Sequence, residues 1–257
     1  MIKQQNAGTK TSRRRAGLGR RRALMLSAGT LALVCAQPAL AQVVPTGGVV
    51  TTGDATIGST GAGNVTVTQN SDRVLIDWDS FDIGSGGSVH FDMDATDIAV
   101  NRDNAGDPSE IYGTLTGDGM IMILNPNGVL FGAGANVNVG SLVATSASLT
   151  DVSSNLLSFT GASGAVTVAA GAAITVADAG LAAFVAPSVA NNGIITATGG
   201  HVFLGGAEGF TLDLANDGLL ELTVPTASPL VQNHGDIFAA GGRIQMSAAA
   251  ASALVGA

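Results

Sequence analysis

Residues 191–202, Asn191-Asn192-Gly193-Ile194-Ile195-Thr196-Ala197-Thr198-Gly199-Gly200-His201-Val202, are echoed by residues 233–244, Asn233-His234-Gly235-Asp236-Ile237-Phe238-Ala239-Ala240-Gly241-Gly242-Arg243-Ile244. Gly193 and Gly235, Ile195 and Ile237, Ala197 and Ala239, the two Gly-Gly pairs, and Val202 and Ile244 all match at a spacing of 42 residues. Self-similarity at a fixed spacing marks a stacked repeat, and 42 residues suits two turns of a β-coil with about 20 residues per turn. Levels of such a coil stack at about 4.8 Å, so inward side chains must be small or β-branched. Ala, Val, Ile, Gly and Thr meet that need. The Gly-Gly and Asn-Gly pairs supply the positive φ that corners demand, and Asn can hydrogen-bond the backbone at a bend.

Outward from the echo, the chain keeps the same texture. Short apolar runs at Val65-Val67, Val74-Ile76, Ser88-Phe91, Met120-Leu124, Asn136-Val139, Ala165-Val168, Ala173-Val176, His201-Leu204 and Arg243-Met246 read as strands broken by turns. With 36 Gly, 4% aromatic and 12% charged residues, no helix of twelve residues is predicted. A β-sandwich would alternate similarly, and the echo is what favours the coil. At about 20 residues a turn, the chain past residue 41 would make on the order of ten turns and span about 50 Å.

The first 41 residues read as an export signal, with a basic stretch, the apolar run Ala23 to Ala36, and the small-residue cleavage site Ala39-Leu40-Ala41. The domain boundaries are therefore 1–41 for the signal and 42–257 for the mature domain, beginning at Gln42. A lipoprotein reading would cleave before Cys35, the only cysteine, but Val34 stands where a small residue is wanted. Arg20-Arg21-Arg22 hints at a twin-arginine signal, yet Arg runs are common in long basic leaders, so the ordinary secretory reading is preferred. Eight of the eleven cations lie before residue 42 and all nineteen acids after it, leaving three cations against nineteen acids, a formal −16. Such a chain lacks the cationic footprint for nucleic acid and is repelled by an anionic membrane surface. Its apolar run is about fourteen residues, short of the roughly 20 that cross a bilayer.

Residues 46–150 carry a more specific pattern. The order Val65-Thr66-Val67-Thr68-Gln69-Asn70-Ser71, Ile76-Asp77-Trp78-Asp79-Ser80-Phe81-Asp82-Ile83-Gly84, Val89-His90-Phe91, Asn101-Arg102 and Pro108-Ser109-Glu110-Ile111-Tyr112-Gly113 ends in Ile123-Leu124-Asn125-Pro126-Asn127-Gly128-Val129-Leu130-Phe131-Gly132. This series resembles the haemagglutination-activity, or two-partner-secretion, domain at the N-terminus of filamentous-haemagglutinin-type exoproteins (TpsA), and the weaker similarity runs on through Arg243-Ile244. The resemblance implies an all-β fold, a single-stranded right-handed parallel β-helix of the pectin-lyase-like kind with an N-terminal cap. It implies a secretion-recognition function for a large secreted adhesin, with an outer-membrane TpsB-type transporter bearing periplasmic POTRA domains as partner. It also implies passage through the periplasm of a Gram-negative bacterium to the cell surface, with a host-cell receptor or glycan met by regions beyond residue 257. The alanine-rich run Ser247 to Ala257 has no polar cap, so the domain is expected to be truncated there. Two departures leave the subgroup open: no second Asn-Pro-Asn motif occurs, and Asp103 follows Asn101-Arg102 where the family usually has an apolar residue.

Within this pattern Asn125-Pro126-Asn127-Gly128 has its own physical reading. Asn suits position i of a type I turn, Pro fixes φ at i+1, Asn tolerates i+2 and Gly completes i+3. It should form a tight corner between Met120-Leu124 and Val129-Phe131, and these four residues are the candidate secretion motif. Even where secretion depends on them, a purely structural corner is the stronger single reading. Trp78, between Asp77 and Asp79, reads as a buried anchor because Phe81 and Ile83 continue its apolar face.

Other chemistry finds little support in the residues. His90, His201 and His234 lack metal-ligand spacing. Asp77, Asp79, Asp92, Asp94 and Asp97 lack a calcium-loop pattern and read as solvated edges. No phosphate loop, nucleophile elbow or post-leader lysine occurs, so no cofactor or metal is expected. Parallel β-helices do include polysaccharide lyases and hydrolases, and a polysaccharide-degrading enzyme is the alternative. Against it, Arg73, Arg102 and Arg243 are isolated in sequence.

Overall fold

The computed structural model describes residues 43–149, 151–215 and 219–249, all within one unit spanning 40–257. The predicted leader 1–41 and the run 250–257 lie outside the described residues.

Alternating patterns such as Asn-Val-Thr-Val-Thr-Gln at 64–69, buried at every second position, form strands that share three walls. The first wall holds β3 (Asn64–Gln69), β5 (Ser88–Asp92), the leading half of β8 (Thr114–Leu124) and of β10 (Asn136–Thr145), then β14 (Ala173–Val176), β17 (Ile194–Thr196) and β22 (Asp236–Phe238). The second holds β4 (Arg73–Trp78), β6 (Ile98–Asp103), the trailing halves of β8 and β10, β15 (Leu181–Ala186), β18 (His201–Gly206) and β23 (Arg243–Ala248). The third holds β7 (Ser109–Ile111), β9 (Gly128–Phe131), β13 (Ala165–Val168), β16 (Ser188–Asn191) and β21 (Leu230–Asn233). Every pairing along these walls is parallel, so the fold is the parallel β-helix expected. β1 (Val49–Thr52) and β2 (Ala55–Gly61) pair antiparallel with β4 and β3 and cap the first turn. All nine sequence-predicted strand segments fall within these strands, and the described residues contain no helix.

The repeat length is a correction. Ile195 pairs directly with Ile237 and Val202 with Ile244, so the 42-residue echo is one turn, not two. Plain turns are short, as from Leu181 to His201 or Ala173 to Ile194. The long turn carries an excursion that leaves after β18 and returns at β21. A second excursion lies between β10 and β13. Among the described residues seven rungs follow on the first wall, beginning at Asn64, Ser88, Thr114, Asn136, Ala173, Ile194 and Asp236, against the ten or so expected. Direct stacking explains why the echo survives, since each side chain repeats its neighbour's environment at the next level.

The excursions supply β11 (Ser148–Leu149), β12 (Leu156–Thr160), β19 (Gly209–Asp213) and β20 (Leu219–Val224), which form one antiparallel sheet outside the helix, in that order. The molecule therefore has two cores. Val65, Val89, Leu115, Val137, Ile174 and Ile195 stack in one column inside the helix. Outside it, Val100, Met122, Val143, Ala183 and Phe203 on the second wall meet Leu157, Phe159, Phe210 and Leu212 of the extra sheet. Strands covered on both faces read as unbroken apolar runs. β15, Leu-Ala-Ala-Phe-Val-Ala, is buried at all six positions.

Candidate functional site

The Asn125–Gly128 turn closes as its residue types dictate. Gly128 N donates to Asn125 O at 2.8 Å, and Asn127 N donates to Asn125 Oδ1 at 2.9 Å, an Asx turn inside the β-turn. Gly128 takes φ +117°, and a Cβ there would lie 2.5 Å from Ala165 O on the next rung, so no larger residue fits. The corner expected between Met120-Leu124 and Val129-Phe131 is in place, joining β8 to β9.

The four residues differ in exposure. Asn125 and Gly128 are buried, whereas Pro126 and Asn127 face solvent. Asn125 Nδ2 donates to Asp107 O at 2.9 Å and to Ser109 Oγ at 3.1 Å. Asn127 Nδ2 donates to Ala105 O at 2.9 Å, and Pro126 O accepts from Gly164 N at 2.9 Å and Ser163 Oγ at 2.8 Å. The corner is thus tied to the rung on either side.

Beneath it runs a buried polar column that sequence reasoning missed. The Asp103 carboxylate, 2% exposed, accepts from Phe81 N at 3.0 Å, Ala105 N at 2.9 Å and the Ser109 hydroxyl. The Ser109 hydroxyl is in turn the oxygen that Asn125 reaches. One level nearer the cap, Trp78 Nε1 donates to the buried Asn101 Oδ1 at 3.0 Å. Trp78 is the buried anchor expected, packed edge-on to Phe81 at 5.5 Å. The one available signal was Asp103 itself: an acid in place of an apolar residue, six residues before a serine, needs donors.

The acidic residues do not all lie at solvated edges. Asp77 binds the Arg102 guanidinium through Nε and Nη2, and the hydrogen bond to that carboxylate holds the Arg102 pKa above its ordinary value. Asp97 is buried and accepts from Asp94 N. Asp79, Asp92 and Asp94 are exposed. Among the described residues no group of three or more His, Cys, Asp or Glu could hold a metal. His90 hydrogen-bonds Thr116 on the first wall, and His201 and His234 sit apart on β18 and a later turn.

Folding does not gather the three arginines. Arg73 spends its guanidinium on the carbonyls of Val152, Ser153 and Ser154 at 2.7–3.0 Å and on Asn155 Oδ1 at 2.5 Å. Those residues enter the extra sheet, so Arg73 staples it to the first rung, beside an open cleft of about 700 Å³. Arg243 begins β23, on the seventh rung of the second wall. Among the described residues no helix is long and apolar enough to cross a membrane.

Residues 41–257 match the TPS secretion domain family. The heme/hemopexin-binding protein of Haemophilus influenzae (strain ATCC 51907 / DSM 11121 / KW20 / Rd) is 40% identical over 118 residues, 46% of this chain. A second heme/hemopexin-binding protein of Haemophilus influenzae is 42% identical over 108 residues. The matched segments are 13% and 12% of those proteins' own lengths. The crystal structure of the HMW1 secretion domain from Haemophilus influenzae superposes with a TM-score of 0.73 over 79% of this chain and 55% of that one, at 23% identity, which speaks for the fold.

Proposed function

The chain belongs to the family of TPS secretion domains that open TpsA-type exoproteins, and from that premise we propose that the Asn125–Gly128 turn is the feature its transporter reads. A domain of this family has a cognate TpsB outer-membrane transporter as partner. The observation that carries the reading is the division of labour within the turn. Asn125 and Gly128 are spent inward on geometry, while Pro126 and Asn127 are held outward on a corner braced by both neighbouring rungs. The residue types of the turn preset its φ before any rung stacks, so binding it costs little entropy.

In this reading residues 1–41 are a secretory signal removed after Ala41. The mature chain from Gln42 crosses the periplasm, engages POTRA domains of the transporter, and folds at the cell surface as the seed of a longer β-helix. Contact with a host receptor or glycan falls to other regions of the exoprotein. The domain acts as a recognition and folding module and not as an enzyme. The staple at Arg73 and the ion pair at Arg102 leave both cations engaged in structure, which removes support from a polysaccharide-cleaving centre.

Two single substitutions separate recognition from folding. Asn127→Ala removes one exposed hydrogen bond and should leave stability within about 0.5 kcal/mol of wild type, yet cut secretion at least tenfold while the periplasmic pool rises. Asn125→Ala strips partners from buried groups and should cost about 1–3 kcal/mol. Undiminished secretion of both Asn127→Ala and Pro126→Ala by cells carrying the transporter would take the recognition role away from the turn.

A further inference from the structure

Two stretches of chain close on the Asn125–Gly128 turn, one from before it and one from well after it. From before, Ala105 O accepts from Asn127 Nδ2, and Asp107 O and Ser109 Oγ accept from Asn125 Nδ2. From after, Ser163 Oγ and Gly164 N both donate to Pro126 O, at 2.8 and 2.9 Å. Ser163 lies 37 positions past Pro126, beyond β10 and the first excursion. The bonds that make the turn itself, from Gly128 N and Asn127 N to Asn125, need no residue outside it. A chain whose rungs have not stacked therefore has the turn, with the Pro126 carbonyl and the Asn127 amide open.

Stacking takes those groups away. A carbonyl oxygen has two lone pairs, and on Pro126 both are filled by Ser163 and Gly164. A Cβ at Gly164 would lie 2.2 Å from Asn127 C and 2.3 Å from Gly128 N, so this segment lies flat on the Asn127–Gly128 peptide and leaves no space between them. The buried Ser146 hydroxyl donates to Gly164 O at 2.9 Å and pins the segment from its other side.

We propose that residues 163–164 are a release cover: the transporter pairs with the unstacked turn through the Pro126 carbonyl and the Asn127 amide, and the closing of this segment during folding outside the cell displaces it. This rests on the reading of the turn as the feature the transporter recognises, and it sets when that contact ends. No folded rung is required in the periplasm, because the turn's residue types set its φ locally. A partner that binds the unfolded chain in preference opposes folding, and by linkage folding weakens that partner's hold by the same factor.

The processed chain is diluted from urea into the labelled periplasmic domains of its transporter, which serve as the probe. The wild-type chain should bind at once and let go as it folds, its affinity falling at least tenfold. In Gly164→Ala the added methyl group holds the cover off the turn, and the chain, shown to be folded by circular dichroism, should keep at least tenfold higher affinity than folded wild type. Adding Asn127→Ala should remove that gain. Ser163→Ala, an exposed change that leaves one of the two donors, should give a smaller gain and decides the matter if Gly164→Ala does not fold. Ile195→Ala, buried on the sixth rung, destabilises the chain without touching the turn and should give none. A folded wild-type chain that holds the probe as tightly as the freshly diluted one overturns the proposal. So does an equal gain in Ile195→Ala, which would make release a matter of global stability. If Asn127→Ala weakens the freshly diluted chain while neither cover variant gains affinity, recognition by the turn stands and the cover falls. If Asn127→Ala leaves the freshly diluted chain bound as before, both fall.

Discussion

Asp103 shows how one buried charge organises a corner. Its carboxylate is almost wholly removed from water, a placement tolerable only with donors on every side, and Phe81, Ala105 and Ser109 supply three. Asp103→Ala would orphan all three at once. With a loss of roughly 1 kcal/mol or more per unsatisfied group, the variant should be destabilised by about 3 kcal/mol in urea denaturation of the processed chain. Arg102→Ala, one residue away, removes a partly exposed ion pair that solvent already screens and should cost less than about 1 kcal/mol. The contrast is the prediction: equal losses from the two variants would mean that the polar column is not what secures the corner. Trp78→Phe keeps the ring but leaves Asn101 Oδ1 without its indole donor, and should cost about 1–2 kcal/mol.

At the scale of elements, the extra sheet is centred on a stacked ring pair where most of the helix interior is aliphatic columns. Phe159 and Phe210 lie parallel, with centroids 4.2 Å apart, between β12 and β19. Phe210→Ala should cost about 3–5 kcal/mol, whereas Ile194→Ala, 45% exposed on the first wall, should change stability little. Thermal melts of the two variants make the comparison. This sheet is also where sequence reading stopped short. The rungs were legible because alternation in Asn64–Gln69 or Ala173–Val176 is a local property, and the turn at Asn125 because its residue types fix φ locally. The pitch was misread because the chain leaves the helix after β18 and returns at β21, so one turn imitated two. No local pattern marks such a departure: β19 and β20 alternate like any rung, and β12, which pairs β19, lies more than fifty residues earlier, across pairings that only the folded chain makes. Asp103 was visible as a departure, but its three donors come from separate turns and loops.

At the scale of the whole molecule, a simple solenoid touches only its neighbours and can fray rung by rung from either end. Two features here break that rule. β12 and β19 pair residues from turns that are not adjacent, and Arg73 on the first rung binds residues 79 to 82 positions later. The cap closes one end, while Phe238, Ile244 and Met246 on the last described rung are exposed, so without these ties the stability of the described rungs would fall steadily away from the cap. With them, opening the first rung requires releasing the sheet, and the rungs between must open together. Native-state hydrogen exchange of the processed chain should therefore give amides of β4, β10 and β12 opening free energies within about 1 kcal/mol of one another, as for a single cooperative unit. Arg73→Ala cuts the staple without touching either core, so β12 amides should become less protected while those of β10, held by neighbours on both sides, change little. A smooth fall in protection from β4 to β18, unaltered by Arg73→Ala, would show that the domain behaves as an ordinary stack and that the outer sheet lies on the rod without binding its turns together.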